Sequence, residues 1–129
     1  MSSSGYGSMC TTGRQGAGVL VQGCEMGHNG FAGFDTTWEG GGGKFACADG
    51  HVLRENFVHN NHGRGLWADT GVRGAIYAGN VCVNNSHDGI AHEISYAALI
   101  DNNTLCFNGM GFDTWLWGAQ INVQKSHSA

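Results

Sequence analysis

The chain has 129 residues, of which 41% are hydrophobic, which is enough for one domain with a core and too few for two ordinary domains. Only 12% of the residues are charged and the formal net charge is −4, which argues against nucleic acid as a partner because phosphate binding needs clustered Lys and Arg. No stretch approaches the roughly 20 apolar residues that cross a bilayer, so no membrane span is predicted. The 23 glycines, the many asparagines and the lack of proline favour strands and tight turns over helices.

Residues 1–18 are predicted to form an N-terminal segment that contributes a partial first turn. The segment is rich in Ser and Gly, and its opening residues 1–7 lack the basic and apolar regions of a secretory signal. We therefore expect either a cytosolic protein or a leader that lies outside this chain.

Residues 19–129 contain an internal repeat. Three copies read apolar, Asn, apolar, Asn at offsets 0, 3, 5 and 8, and each is followed by a glycine and a large apolar residue: 53–66, 77–90 and 100–112. A degenerate copy precedes them, with Val21, Cys24, Met26, Asn29 and Gly33-Phe34 in the same slots. Self-similarity at a nearly fixed interval indicates a repeat architecture.

The first copy is longer than the others. The interval from Cys24 to Asn56 is 32 residues, whereas the interval from Asn56 to Asn80 is 24. We therefore predict an inserted Gly-rich loop near residues 38–46, at the run Gly40–Gly43.

The repeat predicts an all-β fold, a parallel β-helix of about five turns. A period of roughly 20 to 30 residues with short apolar segments indicates a solenoid in which each repeat forms one turn. Leucine-rich repeats have a similar period, but this chain has too few leucines. Asparagine fits a β-helix because it tolerates the left-handed bend between strands, and Asn side chains stacked about 4.8 Å apart hydrogen-bond up a ladder.

The repeated pattern resembles the right-handed parallel β-helix of the pectate-lyase-like superfamily over roughly residues 19–126. Segments similar to secreted bacterial β-helix proteins are 39–45, 65–69, 89–95 and 115–121. The resemblance implies a secreted or extracellular protein that binds polysaccharide, with lyase or glycoside hydrolase activity. It does not single out one activity, because the superfamily also includes epimerases and non-catalytic spikes.

Strand alternation predicts which side chains point outward after each Gly-apolar pair. With the large apolar residue inside, the next residue and the one two positions further face outward. These positions hold Asp35, Trp67, Ala91 and Asp113, and then Thr37, Asp69, Glu93 and Trp115. The predicted substrate-binding residues on this face are Trp67, Asp35, Asp113 and Trp115. An exposed Trp67 would stack on a sugar ring; the alternative is that the Gly-rich loop or a neighbouring segment packs over it.

Asp69 and Glu93 are predicted to lie on adjacent turns, with side chains that start about 5 Å apart. Two carboxylates this close repel unless one is protonated, a cation lies between them or a basic residue neutralises them. Three interpretations are open: a functional site, a structural salt-bridge network with Lys44 or Arg73, or two solvated surface charges.

The resemblance also implies catalytic roles. Superfamily enzymes that eliminate across uronic acids use Lys or Arg as base, with acidic residues or calcium holding the sugar carboxylate. By resemblance Lys44 is the base, Asp69 and Glu93 are orienting or metal-binding acids, and His92 is a supporting acid or base. Nearby carboxylates oppose the lowered lysine pKa that a base needs, so an acid/base carboxylate pair of the glycoside hydrolase type fits at least as well. His92 occupies the inward position of its strand, where a core histidine is the alternative.

Other metal and nucleotide sites are not predicted. His51, His59 and His62 have no carboxylate or cysteine at matching spacing, and the five cysteines, which lack a zinc-type pattern, are interpreted mainly as small buried hydrophobes. The run Gly40–Lys44 fails as a phosphate loop because Phe45 stands where Ser or Thr is required.

The ends of the repeat suggest a second function. A solenoid needs caps because an open end exposes unpaired backbone groups and part of the core. Neither residues 1–18 nor the final 121–129 read as a cap. The alternative to a carbohydrate-active protein is therefore a non-catalytic structural solenoid that self-associates through its ends.

Overall fold

The computed structural model describes residues 16–33, 35–38, 40–110 and 118–125. Within these ranges the regular secondary structure is β-strand, which confirms the all-β prediction, and no helix there is long and apolar enough to cross a membrane. The strands are β1 (Gly16–Ala17), β2 (Leu20–Gln22), β3 (Glu25–Gly27), β4 (Gly41–Ala46), β5 (Ala48–Asp49), β6 (Val52–Arg54), β7 (Phe57–His59), β8 (Arg64–Asp69), β9 (Arg73–Ala78), β10 (Val81–Val83), β11 (Ile90–Glu93), β12 (Tyr96–Asp101), β13 (Thr104–Cys106) and β14 (Ile121–Gln124).

The strands form three parallel sheets, and each turn of the chain passes through all three. Sheet 1 consists of β1, β2, β5, β6, β9 and β12, sheet 2 has the order β3-β7-β10-β13, and sheet 3 has the order β4-β8-β11-β14. Equivalent strands of successive turns pair in parallel. The predicted parallel β-helix is confirmed, and the described residues make four of its turns.

The core is a stack of apolar side chains from successive turns. In the copies that begin at Leu53 and Tyr77, the repeat slots at offsets 0 and 5 and the residue after the repeated glycine are fully buried; Ile100 and Leu105 of the next copy are partly buried against the same core. The stacked pairs are Leu53 with Tyr77, Val58 with Cys82, and Leu66 with Ile90. Burying a side chain of this size contributes about 1.5–3 kcal/mol, so the repeat supplies the hydrophobic stabilisation that no single turn has alone.

The predicted position of the inserted loop is wrong. Residues Gly41–Ala46 form strand β4 of sheet 3, in which Gly43 pairs with Leu66. The extra residues of the first turn therefore lie between Asn29 and β4, and Gly33 is not the first copy's counterpart of the repeated glycine. We call residues 30–40 the insert; residues 34 and 39 lie outside the described ranges.

The first asparagine ladder links Asn56, Asn80 and Asn103. Asn56 Nδ2 donates to Asn80 Oδ1 at 2.9 Å, and Asn80 Nδ2 donates to Asn103 Oδ1 at 2.9 Å. Each of these oxygens also accepts the backbone N–H of the asparagine one turn earlier, at 3.1 and 2.9 Å. Because the amides bond to each other and to the backbone, they avoid the cost of an unsatisfied buried polar group.

The second ladder runs through the bend between sheets 2 and 3. Its members, in order, are Asn29, Asn61, Asn85, Asn108 and Gln120. Asn29, Asn61 and Asn85 each donate from Nδ2 to the asparagine Oδ1 one turn later at 2.8–2.9 Å, and Asn108 Nδ2 donates to Gln120 Oε1 of its own turn at 2.7 Å. Both ladders confirm the predicted stacking of asparagine side chains.

The left-handed residue at these bends precedes the ladder asparagine. Glu55, Asn60 and Asn84 have φ of 57°, 52° and 54°, and the asparagine that follows each one joins a ladder. Asn60 and Asn84 therefore confirm that asparagine tolerates the left-handed bend, while the asparagine one position later forms the ladder. The bend needs a left-handed residue, while the ladder needs an amide aimed inward, and the chain assigns these requirements to neighbouring positions.

The cysteines have different environments. Cys82 is a free thiol in the core, where burial raises its pKa to about 12. Cys24 and Cys106 are free and half-buried, and Cys47 is in a disulfide. The interpretation as buried hydrophobes therefore holds fully for Cys82 alone among the described cysteines.

Three histidines are almost fully buried. His51, His87 and His92 are each at most 2% exposed. Loss of solvent lowers the pKa of all three, and the pKa of His87 falls to about 4 with a further contribution from the Arg64 cation. All three are neutral in the folded protein at pH 7.

We expect stability to fall as the pH decreases from about 6.5 to about 4. Unfolded histidine has a pKa near 6.5, so in this window the unfolded chain binds protons that the folded chain does not. The contribution of the neutral histidines is complete above pH 6.5, and each one loses up to about 1.4 kcal/mol per pH unit below it. Urea unfolding at several pH values measures this slope. The variant His87→Asn should flatten it, whereas His28→Asn, at an exposed position, should leave it unchanged; equal slopes in both would contradict the burial of neutral histidine.

Candidate functional site

The outer face of sheet 3 brings the predicted acid pair together. Asp69 on β8 pairs with Glu93 on β11, so the two residues lie on adjacent turns as predicted. Lys44 lies on the neighbouring strand β4, one turn earlier, at the position that pairs with Trp67. Lys44 is therefore held by a strand and does not extend from a flexible loop.

Lys44 neutralises Asp69. Its Nζ lies 2.9 Å from Asp69 Oδ2 and also donates to the Trp38 carbonyl of the insert at 2.8 Å. Both charged side chains are about one-sixth exposed. Of the two cations considered for the predicted salt-bridge network, Lys44 takes part, while Arg73 lies over the Tyr96 ring at 4.8 Å.

A buried arginine, which the sequence reasoning missed, neutralises Glu93. Arg64 is 1% exposed; its Nη2 lies 3.8 Å from Glu93 Oε2, and its Nε donates to Asp88 Oδ2 at 3.2 Å. Gln124 Nε2 donates to the other Glu93 oxygen at 3.1 Å. Burial lowers the pKa of Arg64, and Glu93 and Asp88 oppose this by stabilising its charge. We call Lys44, Arg64, Asp69, Asp88 and Glu93 the charged cluster.

The sequence repeat contains a pattern that could have predicted the Arg64–Asp88 ion pair. Arg64 precedes Gly65 and Asp88 precedes Gly89, so the two occupy the same slot one turn apart with opposite charges. The repeat is recognisable by its Asn and apolar slots, and a slot that holds opposite charges in successive copies does not read as a repeat.

Trp67 is not the exposed stacking surface that was predicted. It is 3% exposed, and Lys44 Nζ and Arg64 Cζ each lie 3.8 Å from its ring centroid. Two cations held this close to a desolvated indole contribute cation–π attraction on the order of 2 kcal/mol each. Arg64 donates to the Thr37 carbonyl and Lys44 donates to the Trp38 carbonyl. The insert therefore reaches across this part of sheet 3.

His92 does not share the outer face with the acid pair. Its ring makes an edge contact with Tyr77 in the core, and its Nδ1 lies 3.3 Å from the Tyr77 hydroxyl. The structure therefore agrees with the core-histidine alternative and separates His92 from the predicted catalytic group.

Of the remaining predicted substrate residues, the structure describes Asp35. Asp35 is exposed, and its Oδ1 accepts the Thr37 N–H at 2.9 Å and the Thr37 hydroxyl at 2.6 Å, which lowers the pKa of Asp35. Through these contacts Asp35 closes a turn within the insert. Asp113 and Trp115 lie outside the described residues.

Calcium, which the resemblance implies for uronate-binding enzymes, does not fit the cluster. Calcium takes six to eight oxygen ligands, but Asp69 is bound to Lys44, and Glu93 is bound to Arg64 and Gln124. Among the residues that the structure describes, no group of three or more His, Cys, Asp or Glu side chains is arranged to hold a metal ion.

A cleft of about 220 Å³ lies along the bend between sheets 2 and 3. Two buried members of the second ladder, Asn61 and Asn85, line it, and their amides are already bonded within the ladder. The accessible polar groups come from Asn60, Asn84 and Ser86 on two adjacent turns.

The walls of the cleft are aromatic and apolar. Phe31, at the start of the insert, is 67% exposed, and its ring stacks on His62 with centroids 5.4 Å apart and planes 27° apart. Met110 is 76% exposed, and His28 completes the lining. The sequence reasoning missed this cleft.

A comparison with protein families matches residues 1–127 to the model described as a right-handed beta helix region. The chain belongs to the right-handed β-helix family. The match covers nearly the whole chain and, together with the parallel sheets, confirms the predicted right-handed parallel β-helix. No curated protein and no solved structure was found to match it. The narrower resemblance to the pectate-lyase-like superfamily stays a prediction, because a β-helix fold by itself does not define a substrate.

Proposed function

We propose that this right-handed β-helix protein binds polysaccharide in the cleft between sheets 2 and 3. The observation that carries the proposal is the pairing of an exposed aromatic face with uncharged polar groups in one cleft. Binding sites of this type combine apolar and aromatic walls with a few polar groups that fix orientation. A sugar ring has the complementary chemistry, with C–H groups on its faces and hydroxyls around its edge.

The proposed stacking residue is Phe31. Its ring rests on His62, which limits the positions that the exposed side chain adopts and reduces the entropy lost on binding. The polar groups are partly held as well: Asn60 Oδ1 lies 3.0 Å from His59 Nδ1, and Ser86 Oγ accepts the Gly63 N–H at 2.8 Å. The Ser86 hydroxyl keeps its own hydrogen for a ligand.

The proposal is binding without turnover. Lys44 Nζ already contacts a carboxylate and donates to a carbonyl, so it is not placed to take a proton from a substrate. Glu93 is tied to Arg64 and Gln124. These contacts support a structural role for the charged cluster. Lyase or glycoside hydrolase activity at Lys44, Asp69 and Glu93 stays a prediction, as does secretion.

The variant Phe31→Ala tests the proposal. We expect it to weaken polysaccharide binding by at least about tenfold, or 1.4 kcal/mol, because the ring supplies the stacking surface. The control is Phe107→Ala, which removes an equally exposed phenylalanine (68%) that does not line the cleft. Affinity electrophoresis through gels that contain soluble polysaccharides measures both variants. Equal retardation of Phe31→Ala and wild type would show that the cleft is not the binding site.

Self-association through the ends is the alternative function, and it stays a prediction. Sedimentation across a concentration series tests it separately: a monomer at all concentrations argues against it, whereas assembly without any polysaccharide binding would favour it over our proposal.

A further inference from the structure

We infer that the polysaccharide bound in the cleft is a neutral glycan and not a uronate polymer; this inference rests on the proposed function. The resemblance implied acidic sugars, because enzymes that eliminate across uronic acids recognise a carboxylate. The chemistry of the cleft is different, and three properties of its described residues support a neutral ligand.

The first property is charge. The described lining contains no Lys, Arg, Asp or Glu, and its titratable groups are His28 and His62. A uronate carboxylate in this cleft would lose water without meeting a Lys or Arg, and desolvating a charge without such a partner is costly. The net charge of −4 adds a weak repulsion for any polyanion.

Four of the five described Lys and Arg side chains are engaged elsewhere, and the fifth, Lys125, does not line the cleft. Lys44 and Arg64 belong to the charged cluster on sheet 3. On sheet 1, Arg54 donates to Gln22 at 2.9 Å and Arg73 lies over Tyr96. None of these four side chains lines the cleft, so bringing one to a bound carboxylate would break contacts that the structure makes.

The second property is hydrogen-bond type. A sugar hydroxyl both donates and accepts, and so do the amides of Asn60 and Asn84 and the hydroxyl of Ser86. A carboxylate only accepts, so it pairs with the N–H and O–H donors of these three side chains but not with their oxygens. Mixed donor and acceptor groups therefore match a neutral sugar better.

The third property is size and shape. About 220 Å³ is smaller than the roughly 300–1,000 Å³ that encloses a drug-sized ligand, and the cleft is open to solvent. Phe31 and Met110 present apolar surface to whatever enters. The cleft therefore suits one sugar ring of a longer chain, with the rest of the glycan lying across the surface.

The test compares wild-type protein in affinity gels and by titration calorimetry with neutral polysaccharides (a β-glucan, a xylan and a galactomannan) and with polygalacturonate and alginate. Each is measured at low and high salt, with and without EDTA. We expect at least one neutral glycan to bind at least about tenfold more tightly than both uronates. Its affinity should change less than about twofold with salt or chelator, because no ion pair or metal is involved.

The variant Asn84→Lys adds a cation at an exposed position of the cleft. We expect it to raise uronate affinity by about threefold or more at low salt, with little gain for the neutral glycan, because a partly exposed ion pair is modest and screened. A circular dichroism melt confirms that the variant folds.

The outcomes separate the inference from the proposed function. Tight binding of polygalacturonate or alginate by wild type, with neutral glycans unbound or a steep fall of affinity with salt, overturns the inference and leaves polysaccharide binding intact. Failure of every polysaccharide to bind overturns the proposed function itself. Neutral binding that persists in Phe31→Ala overturns the assignment of both to this cleft.

Discussion

Replacing Asn85 with leucine is expected to lower the free energy of unfolding by at least about 4 kcal/mol, the largest effect of a single ladder substitution. Leucine has nearly the same shape but bonds to nothing. In the native protein Asn85 Nδ2 donates to the Val58 carbonyl and to Asn108 Oδ1, and its Oδ1 accepts the side-chain and backbone N–H groups of Asn61. The substitution removes these four bonds. Asn108 Oδ1 keeps the backbone N–H of residue 85, but both Asn61 donors and the Val58 carbonyl lose the Asn85 side chain, and each buried group left unsatisfied costs about 1–3 kcal/mol.

Urea unfolding followed by circular dichroism measures the loss. The matched control is Asn84→Gly, one residue earlier: Asn84 is exposed and has a φ of 54°, which glycine adopts freely. This control should change stability by less than about 1 kcal/mol. If the leucine variant cost no more than the control, the ladder amides would not be bonded as described.

Replacing Arg64 with leucine is expected to cost about 3–5 kcal/mol. The guanidinium is the cation shared by Asp88, which is fully buried, and by Glu93. Removing one partner of a buried ion pair leaves an uncompensated charge, which is more damaging than the loss of the attraction itself. The Trp67 ring also loses one of its two flanking cations.

The control for Arg64→Leu is Arg73→Leu on sheet 1. Arg73 is exposed, and its guanidinium lies over the Tyr96 ring. The loss of this exposed cation–π contact should cost less than about 1 kcal/mol. The triple variant Arg64→Leu, Asp88→Asn, Glu93→Gln removes the stranded charges and should recover part of the stability. No recovery in the triple variant would show that packing, and not charge compensation, is what Arg64 contributes.

The fold was predictable because its strongest constraints repeat in the sequence. An inward amide that must bond to the next turn has to recur at the same slot, which is why Asn56, Asn80 and Asn103 align. The register of Asp69 with Glu93 followed from the same alignment. Features that depend on a single turn were not predictable in this way.

The insert shows why the first turn was misread. A run of glycines usually indicates a loop, but in β4 it allows close packing: a Cβ on Gly42 would lie 2.6 Å from the Gly65 carbonyl oxygen. Residues of the insert have no counterpart in other turns, so the repeat could not predict where Phe31 lies. The cleft depends on Phe31 and on turn residues of separate turns, and it becomes visible only once the turns are stacked.

Exposure was the other quantity that the sequence did not determine. Strand alternation correctly placed Leu66 in the core, and it grouped Trp67 with residues that face outward. An outward direction does not make a side chain accessible when Arg64, Lys44 and the insert lie around it. Burial on an outer face is a tertiary property that involves segments far apart in the sequence.

The most direct test of the account is a titration of isotopically labelled protein with the neutral glycan that binds best, followed by NMR. Glycan binding in the cleft predicts that the side-chain amides of Asn60 and Asn84 and the backbone amides of Phe31 and Ser86 shift together in a saturable manner. The indole N–H of Trp67 and the backbone amides of Asp69 and Glu93 should stay in place. Shifts confined to the charged cluster, with those of the cleft unchanged, would contradict the account and return the binding site to the outer face of sheet 3.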